Sequence, residues 1–209
     1  EYNKVVEKAF PSMDWILGVG KVYTGQLKRE LSKLEVDDDK KRTLLEQASA
    51  DMSDGVSKCE KWVTSRPTPS LIVFVAEFED SFGKMLEGLY TLTADEKILR
   101  KANGVYNDAA KRFKEVELTS RVAESYWKIA RNLDLLSDTA QAARNYDDAY
   151  TEYENAAQSM PSFSDFFLDY ASYMKAWSEI ERAKFAHNNR RYASAMKHYR
   201  KAASLLKQS

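Results

Sequence analysis

Apolar residues recur at three- and four-residue spacing along almost the whole chain, the period of an amphipathic helix. Trp15, Ile16, Val19, Val22, Tyr23, Leu27, Leu31 and Leu34 predict a first helix over residues 12–35. Ser12 stands at its start as the cap, with Pro11 before it and Asp14 in the first turn. Gly18, Gly20 and Gly25 weaken this helix intrinsically but leave room for another helix to approach. Asp37, Asp38 and Asp39 put negative charge where the next helix starts, which suits the positive end of its dipole. That helix runs over 38–64 through Leu44, Leu45, Ala48, Met52, Val56, Cys59 and Val63, and Arg66-Pro67-Thr68-Pro69 ends it.

The run Leu71-Ile72-Val73-Phe74-Val75-Ala76 has the composition of a strand. Helical spacing continues beyond it through Phe78, Phe82, Met85, Leu86 and Leu89, so a third helix is expected from Ser70. Thr93-Ala94-Asp95-Glu96 has the form of a capping box that restarts a helix. Further helices are expected over 94–118 with a bend at Asn103-Gly104, over 121–144, and over 146–159 up to Pro161. Two more follow, over 163–187 with Ser162 or Ser164 as cap, and over 190–207. No strand is expected.

One pattern recurs in the second half: Tyr106-Asn107-Asp108-Ala109, Tyr146-Asp147-Asp148-Ala149 and Tyr192-Ala193-Ser194-Ala195. Four residues after each alanine comes an aromatic, Phe113, Tyr153 or Tyr199, and three further on Val116, Ala156 or Ala202. The tyrosines lie 40 and 46 residues apart, a spacing typical of stacked repeats. A small alanine lets two helices cross closely, and the aromatic one turn on fills the next gap on the same face. The frame resembles the second helix of a tetratricopeptide repeat. In the middle copy Pro161 stands where that family often ends its unit, and Leu133, Leu136, Ser137 and Ala140 fall on its first-helix packing positions. The last copy matches through Ala183, Ala186, Tyr192, Ala195, Tyr199 and Ala202, and the first through Gly104, Tyr106, Ala109 and Phe113. The first helices, Val122–Arg144 and Phe163–His187, would be longer than the family standard, similar to those of the soluble NSF attachment proteins. The resemblance covers residues 94–209; residues 1–93 form a separate helical region, as diverged repeats or a cap. It implies an all-α chain of antiparallel helix hairpins stacked as a right-handed solenoid.

Composition narrows the function. The chain of 209 residues has 32 basic and 32 acidic residues, which speaks against a dedicated nucleic-acid binder. Charged residues make up 31% and apolar ones 44%, the balance of a folded chain. A single cysteine, Cys59, excludes an internal disulfide and fits a reducing, cytoplasmic setting. No apolar run approaches the roughly 18 residues of a membrane span. Nothing at the start reads as a secretory leader, and a start at Glu1 admits a processed protein or a piece of a longer one.

Chemistry-bearing sets are sparse. His187 and His198 lack the further ligands a zinc site needs and are expected to be exposed. Gly18-Val19-Gly20 lacks the rest of a dinucleotide turn, Cys59 is expected as a small packed residue, and Glu77, Glu79 and Asp80 are expected as a solvated acidic face. No catalysis and no cofactor are expected. Phe163, Phe166, Phe167, Tyr170, Tyr173 and Trp177 recur at helical spacing and are expected mainly as core; of the adjacent Tyr126 and Trp127, one should pack and the other face a partner.

Between Arg182 and Ser209 there is no acidic residue, against eight basic ones. On a helical wheel Tyr192, Ala195, Met196, Tyr199, Ala202, Ala203 and Leu206 share one face, expected to pack. Arg190, Lys197, His198 and Lys201 lie opposite, expected in solvent. The basic residues would either dock an acidic protein or an anionic membrane surface, or pair with Asp147, Asp148, Glu152 and Glu154. The resemblance implies a protein-interaction scaffold whose first helices form a groove for a peptide or helix of the partner. Candidate contacts are Trp127, Arg131, Lys175 and Arg182 on those helices, and Arg190, Arg191, Lys197 and Lys201 at the basic end. Two alternatives are a membrane-trafficking adaptor of the attachment-protein type and a regulatory or sensor domain of a larger enzyme.

Overall fold

Every element among the described residues of the computed structural model, residues 11–207, is a helix; side chains are described from Met13. Eight α-helices follow one another among those residues: α1 Pro11–Leu34, α2 Asp38–Ser65, α3 Pro69–Thr93, α4 Glu96–Glu115, α5 Thr119–Leu135, α6 Thr139–Ser159, α7 Ser164–Asn188 and α8 Tyr192–Leu205. A short 3₁₀ turn, Pro161–Phe163, joins α6 to α7. The Ser12 cap falls outside the described side chains. Consecutive helices pack in pairs, as an all-α array of hairpins. The chain divides into two compact units, Glu1–Arg112 and Phe113–Ser209.

In the first unit α1 and α2 touch backbone to backbone. A Cβ built on Gly55 would lie 2.6 Å from the Gly18 carbonyl oxygen, and one on Gly18 would lie 2.8 Å from Cys59 Sγ. Gly25 meets Met52 in the same way, whereas Gly20 faces open space and takes no part in the crossing. Cys59 is fully buried, and burial pushes its thiol up to about 11, so it packs as an inert small residue. Asp37 caps α2 by accepting from the Asp39 and Lys40 N–H groups at 2.9 and 3.1 Å. Thr68 caps α3, with Pro69 in its first turn, and the strand-like run 71–76 is helical throughout. The next start differs from expectation: Asp95, not Thr93, caps α4, accepting from Lys97 N–H at 2.9 Å. Thr93 instead closes α3, and its hydroxyl donates to the Leu89 carbonyl. Helix α4 runs unbroken through Asn103 and Gly104; Gly104 faces solvent and costs only its intrinsic penalty.

The expected acidic face on α3 is solvated only at Glu77. Glu79 and Asp80 are buried, because Arg112 reaches Glu79 Oε1 at 2.7 Å and Lys84 reaches Asp80 at 2.8 Å. Arg112 also holds Glu60 at 3.0 Å. Burial pushes the Glu79 carboxyl up to about 8, outweighing the pull of the Arg112 guanidinium.

The second unit corrects one helix boundary. Instead of a helix over 121–144, α5 stops at Leu135 and α6 already starts at Thr139. Leu133, Leu136, Ser137 and Ala140 therefore surround a turn and do not line one helix face. Ser137 takes a left-handed conformation, φ 59°, and Asp138 N–H donates back to the Leu133 carbonyl at 2.9 Å. The same turn closes α4, with Glu117 at φ 58° and Leu118 N–H on Phe113 O, and α7, with Arg190 at φ 57° and Arg191 N–H on Ala186 O. Neither Ser162 nor Ser164 caps α7; Phe163 holds that position with no side-chain bond. The core gathers Tyr146, Ala149, Tyr153 and Ala156 of α6 with Phe167, Ala171 and Met174 of α7. Tyr146 stacks on Trp177 at 6.0 Å, and Tyr153 lies 5.4 Å from Tyr170.

Candidate functional site

The candidate residues fall on α5, α7 and α8, with Arg190 and Arg191 in the turn before α8. On α5, Trp127 is half-buried against Tyr170 at 6.5 Å, and the Arg131 guanidinium stands 5.8 Å over its ring. Tyr126 and Trp127 both pack against the second core, so neither is simply a free contact. On α7, Lys175 and Arg182 converge on Asp147 of α6, Lys175 at 3.0 Å. Phe163, Phe166 and Tyr173 are exposed, while Phe167 is buried in the core.

Helix α8 departs in part from the expected faces: Arg190 and Lys197 are exposed as expected, but most of the Tyr/Ala face does not pack. Only Ala195 and Ala202 of its Tyr/Ala face are buried. Tyr192, Met196, Tyr199 and Leu206 are exposed, and so is Phe185 of α7. Lys201 is exposed as expected but also reaches toward α7, and His198, expected in solvent, is half-buried against it. Lys201 reaches Glu179 at 2.7 Å and His198 Nδ1 lies 2.6 Å from the same carboxylate, which Arg182 also touches. The buried carboxylate is the cause, since it needs cations to offset its lost hydration. Burial pushes the Glu179 carboxyl up, but Lys201, His198 and Arg182 outweigh it and hold it below its ordinary range. Lys184 is likewise spent on Asp134 and Glu181, each at 2.7 Å. Of the acidic residues proposed as internal partners, Asp147 takes that role toward the basic segment.

No ion pair among the described residues engages Arg190, Arg191, Lys197, Arg200 or Lys207. These cations flank the exposed aromatic and aliphatic side chains of α8. Beside them lies a cavity of about 340 Å³ between the start of α6, the end of α7 and the start of α8. It is lined by Arg182 and Arg191 from the candidate set, by His198, which the sequence places in solvent, and by Arg144, which no sequence signal marks. Arg144 lies in what the apolar period makes a helix end, and the cavity exists only because residues 139–144 meet the distant stretch 182–198.

Among the described residues no group of three His, Cys, Asp or Glu side chains is placed to hold a metal ion. No described helix is long and apolar enough to cross a membrane. The chain matches no known protein-family profile. Comparison with curated proteins finds no match. Among solved structures the chain is similar to a filament named DHF58, with a TM-score of 0.58 at 14% identity over 95% of this chain and 96% of that one. It is also similar to the de novo designed helical repeat protein DHR64, with a TM-score of 0.53 at 14% identity over 95% and 97%. At that identity the likeness speaks for the fold: an all-α helical-repeat array.

Proposed function

We propose that this chain is a non-catalytic protein-interaction scaffold of the tetratricopeptide kind, working in the cytoplasm. Its second unit would hold an acidic amphipathic segment of a partner protein. The observation that carries this reading is the outer face of α8. Tyr192, Met196, Tyr199 and Leu206 are exposed among Arg191, Lys197, Arg200 and Lys207, which have no ion pair among the described residues. Aromatic anchors within a charged rim are the usual composition of a binding patch. The Tyr-x-x-Ala frame supports the repeat reading, since Ala109, Ala149 and Ala195 are all buried on alternate helices.

Fluorescence anisotropy with a labelled synthetic helix tests it, the helix carrying glutamates on either side of a leucine stripe. Binding is expected to weaken when glutamine replaces glutamate, and when salt rises from about 50 to about 300 mM. Lys197→Glu with Arg200→Glu should abolish it. Equal binding of both peptides by the native chain and the variant would sink the reading. A second reading, a membrane-trafficking adaptor, is favoured by the same mixture of basic and apolar side chains, which also suits an anionic bilayer. Binding to anionic vesicles but not to the peptide would decide for it.

A further inference from the structure

Three arginines line the cavity at the α6–α7–α8 junction: Arg144, Arg182 and Arg191. Arg182 is tied down by Asp147 and Glu179, which use two of its five donors and fix its position. His198, on the same wall, is held by Glu179. Arg144 and Arg191 are exposed and enter no ion pair among the described residues. The cavity therefore keeps a positive balance after its internal pairs are formed. Its wall also carries Ser194, in the first turn of α8.

That helix start reinforces the charge. Arg191 stands at the cap position with no side-chain bond, and the first intrahelical bond runs from Ala195 N–H to the Arg191 carbonyl. The N–H groups of residues 192–194 thus lie at the positive end of α8 without intrahelical partners. The start of α6 differs, since Asp138 caps it by accepting from Gln141 N–H. Ala140, Ala143 and Ala186 keep the floor low, and half-exposed Phe185 forms an apolar side wall.

We propose that this cavity receives the phosphoryl group of a phosphate monoester. A dianion with three terminal oxygens can use forked guanidinium donors, a hydroxyl and free helix N–H groups together. A lone carboxylate offers two oxygens and one charge to the same donors. The volume of about 340 Å³ also leaves space for the organic group that carries the phosphate, against Phe185. The inference goes beyond the scaffold reading, because a phosphorylated side chain and a small phosphorylated molecule present the same chemistry.

Isothermal titration of the full chain with phenyl phosphate tests it, with benzoate and inorganic phosphate as comparisons. Phenyl phosphate should bind at least tenfold tighter than benzoate, and Arg144→Ala with Arg191→Ala should weaken it at least tenfold. Lys97→Ala, an exposed basic residue on α4 outside both the cavity and the α8 face, should leave it unchanged. A phosphoserine tetrapeptide forms the other arm. Tighter binding of the peptide than of phenyl phosphate assigns the phosphoryl group to a partner protein, and the reverse assigns it to a small molecule. Equal affinity for benzoate overturns the proposal, as does equal weakening by Lys97→Ala. If neither phosphate ligand binds while the acidic helix does, the cavity assignment falls and the scaffold reading stands.

Discussion

At the scale of single residues, two glycines of similar appearance have opposite roles. Gly55 sits where α2 touches α1, and any Cβ there meets the Gly18 backbone at 2.6 Å. Backbone cannot move aside as a flexible side chain can, so Gly55→Ala should cost about 1–3 kcal/mol by overpacking. Gly20, with nothing within 4 Å of its built Cβ, should gain roughly 0.5–1 kcal/mol on substitution by alanine. Urea denaturation of both variants checks the pair. Sequence reading recognised that glycines on α1 admit a close approach, but assigned all three to it; only a defined rotation about the helix axis separates Gly20 from the others. Glu79 carries a second residue-level prediction. Its Oε2 is buried without a hydrogen-bond partner, and burial lifts the carboxyl from 4.5 to about 8. Between those two values the folded chain binds a proton that the unfolded chain has released. Stability attributable to this group is therefore full below about 4.5 and lost as pH rises through about 8. Glu79→Gln keeps the shape and the acceptor for Arg112 without the charge. Thermal unfolding from pH 5 to pH 9 should show the variant gaining on the native chain as pH rises; parallel curves would contradict the assignment.

At the scale of elements, helix starts and stops were legible wherever chemistry punctuates the chain. Asp37, Thr68 with Pro69, and Pro161 mark boundaries that the structure places within a residue or two of expectation. The turn at 136–138 was not legible. Its left-handed residue is Ser137 rather than glycine, and Leu133, Leu135 and Leu136 carry the apolar period straight into it. What closes α5 is a backbone bond, Asp138 N–H to Leu133 O, which no side-chain pattern announces. Glu117 and Ser137 both hold a conformation that costs a residue with a Cβ, so Glu117→Gly and Ser137→Gly should each stabilise by roughly 0.5–1 kcal/mol. Ser137→Val, with branching at Cβ, should destabilise by about 1–2 kcal/mol. Chemical denaturation midpoints measure all three, and a loss of stability in both glycine variants would refute the turn geometry. The candidate site was half legible for a related reason. An acid-free final segment contains Arg182, Arg191 and His198, but Arg144 joins them only through helix convergence.

Across the whole molecule the three Tyr-x-x-Ala copies share a frame and differ in what covers them. Tyr106 is fully buried with its ring against Gly83, and Tyr146 is buried against Trp177. Tyr192 and Tyr199 of the third copy are 60% and 43% exposed, although Ala195 and Ala202 beside them are buried. One sequence pattern is thus buried in the first two copies and partly exposed in the third. The alanines pack α8 against its neighbours, and the tyrosines face outward beside cations that form no ion pair among the described residues. Stability and binding should separate accordingly. Tyr146→Ala removes a buried aromatic and should cost about 3–5 kcal/mol. Tyr192→Ala and Tyr199→Ala leave no cavity and should each change stability by less than about 1 kcal/mol. In the anisotropy assay with the acidic amphipathic helix, the last two variants should lose affinity at least tenfold at unchanged melting temperature. If they bind as tightly as the native chain, the exposed aromatics of α8 are not anchors, and the binding surface has to be sought on α5 and α7 around Trp127, Arg131 and Lys175.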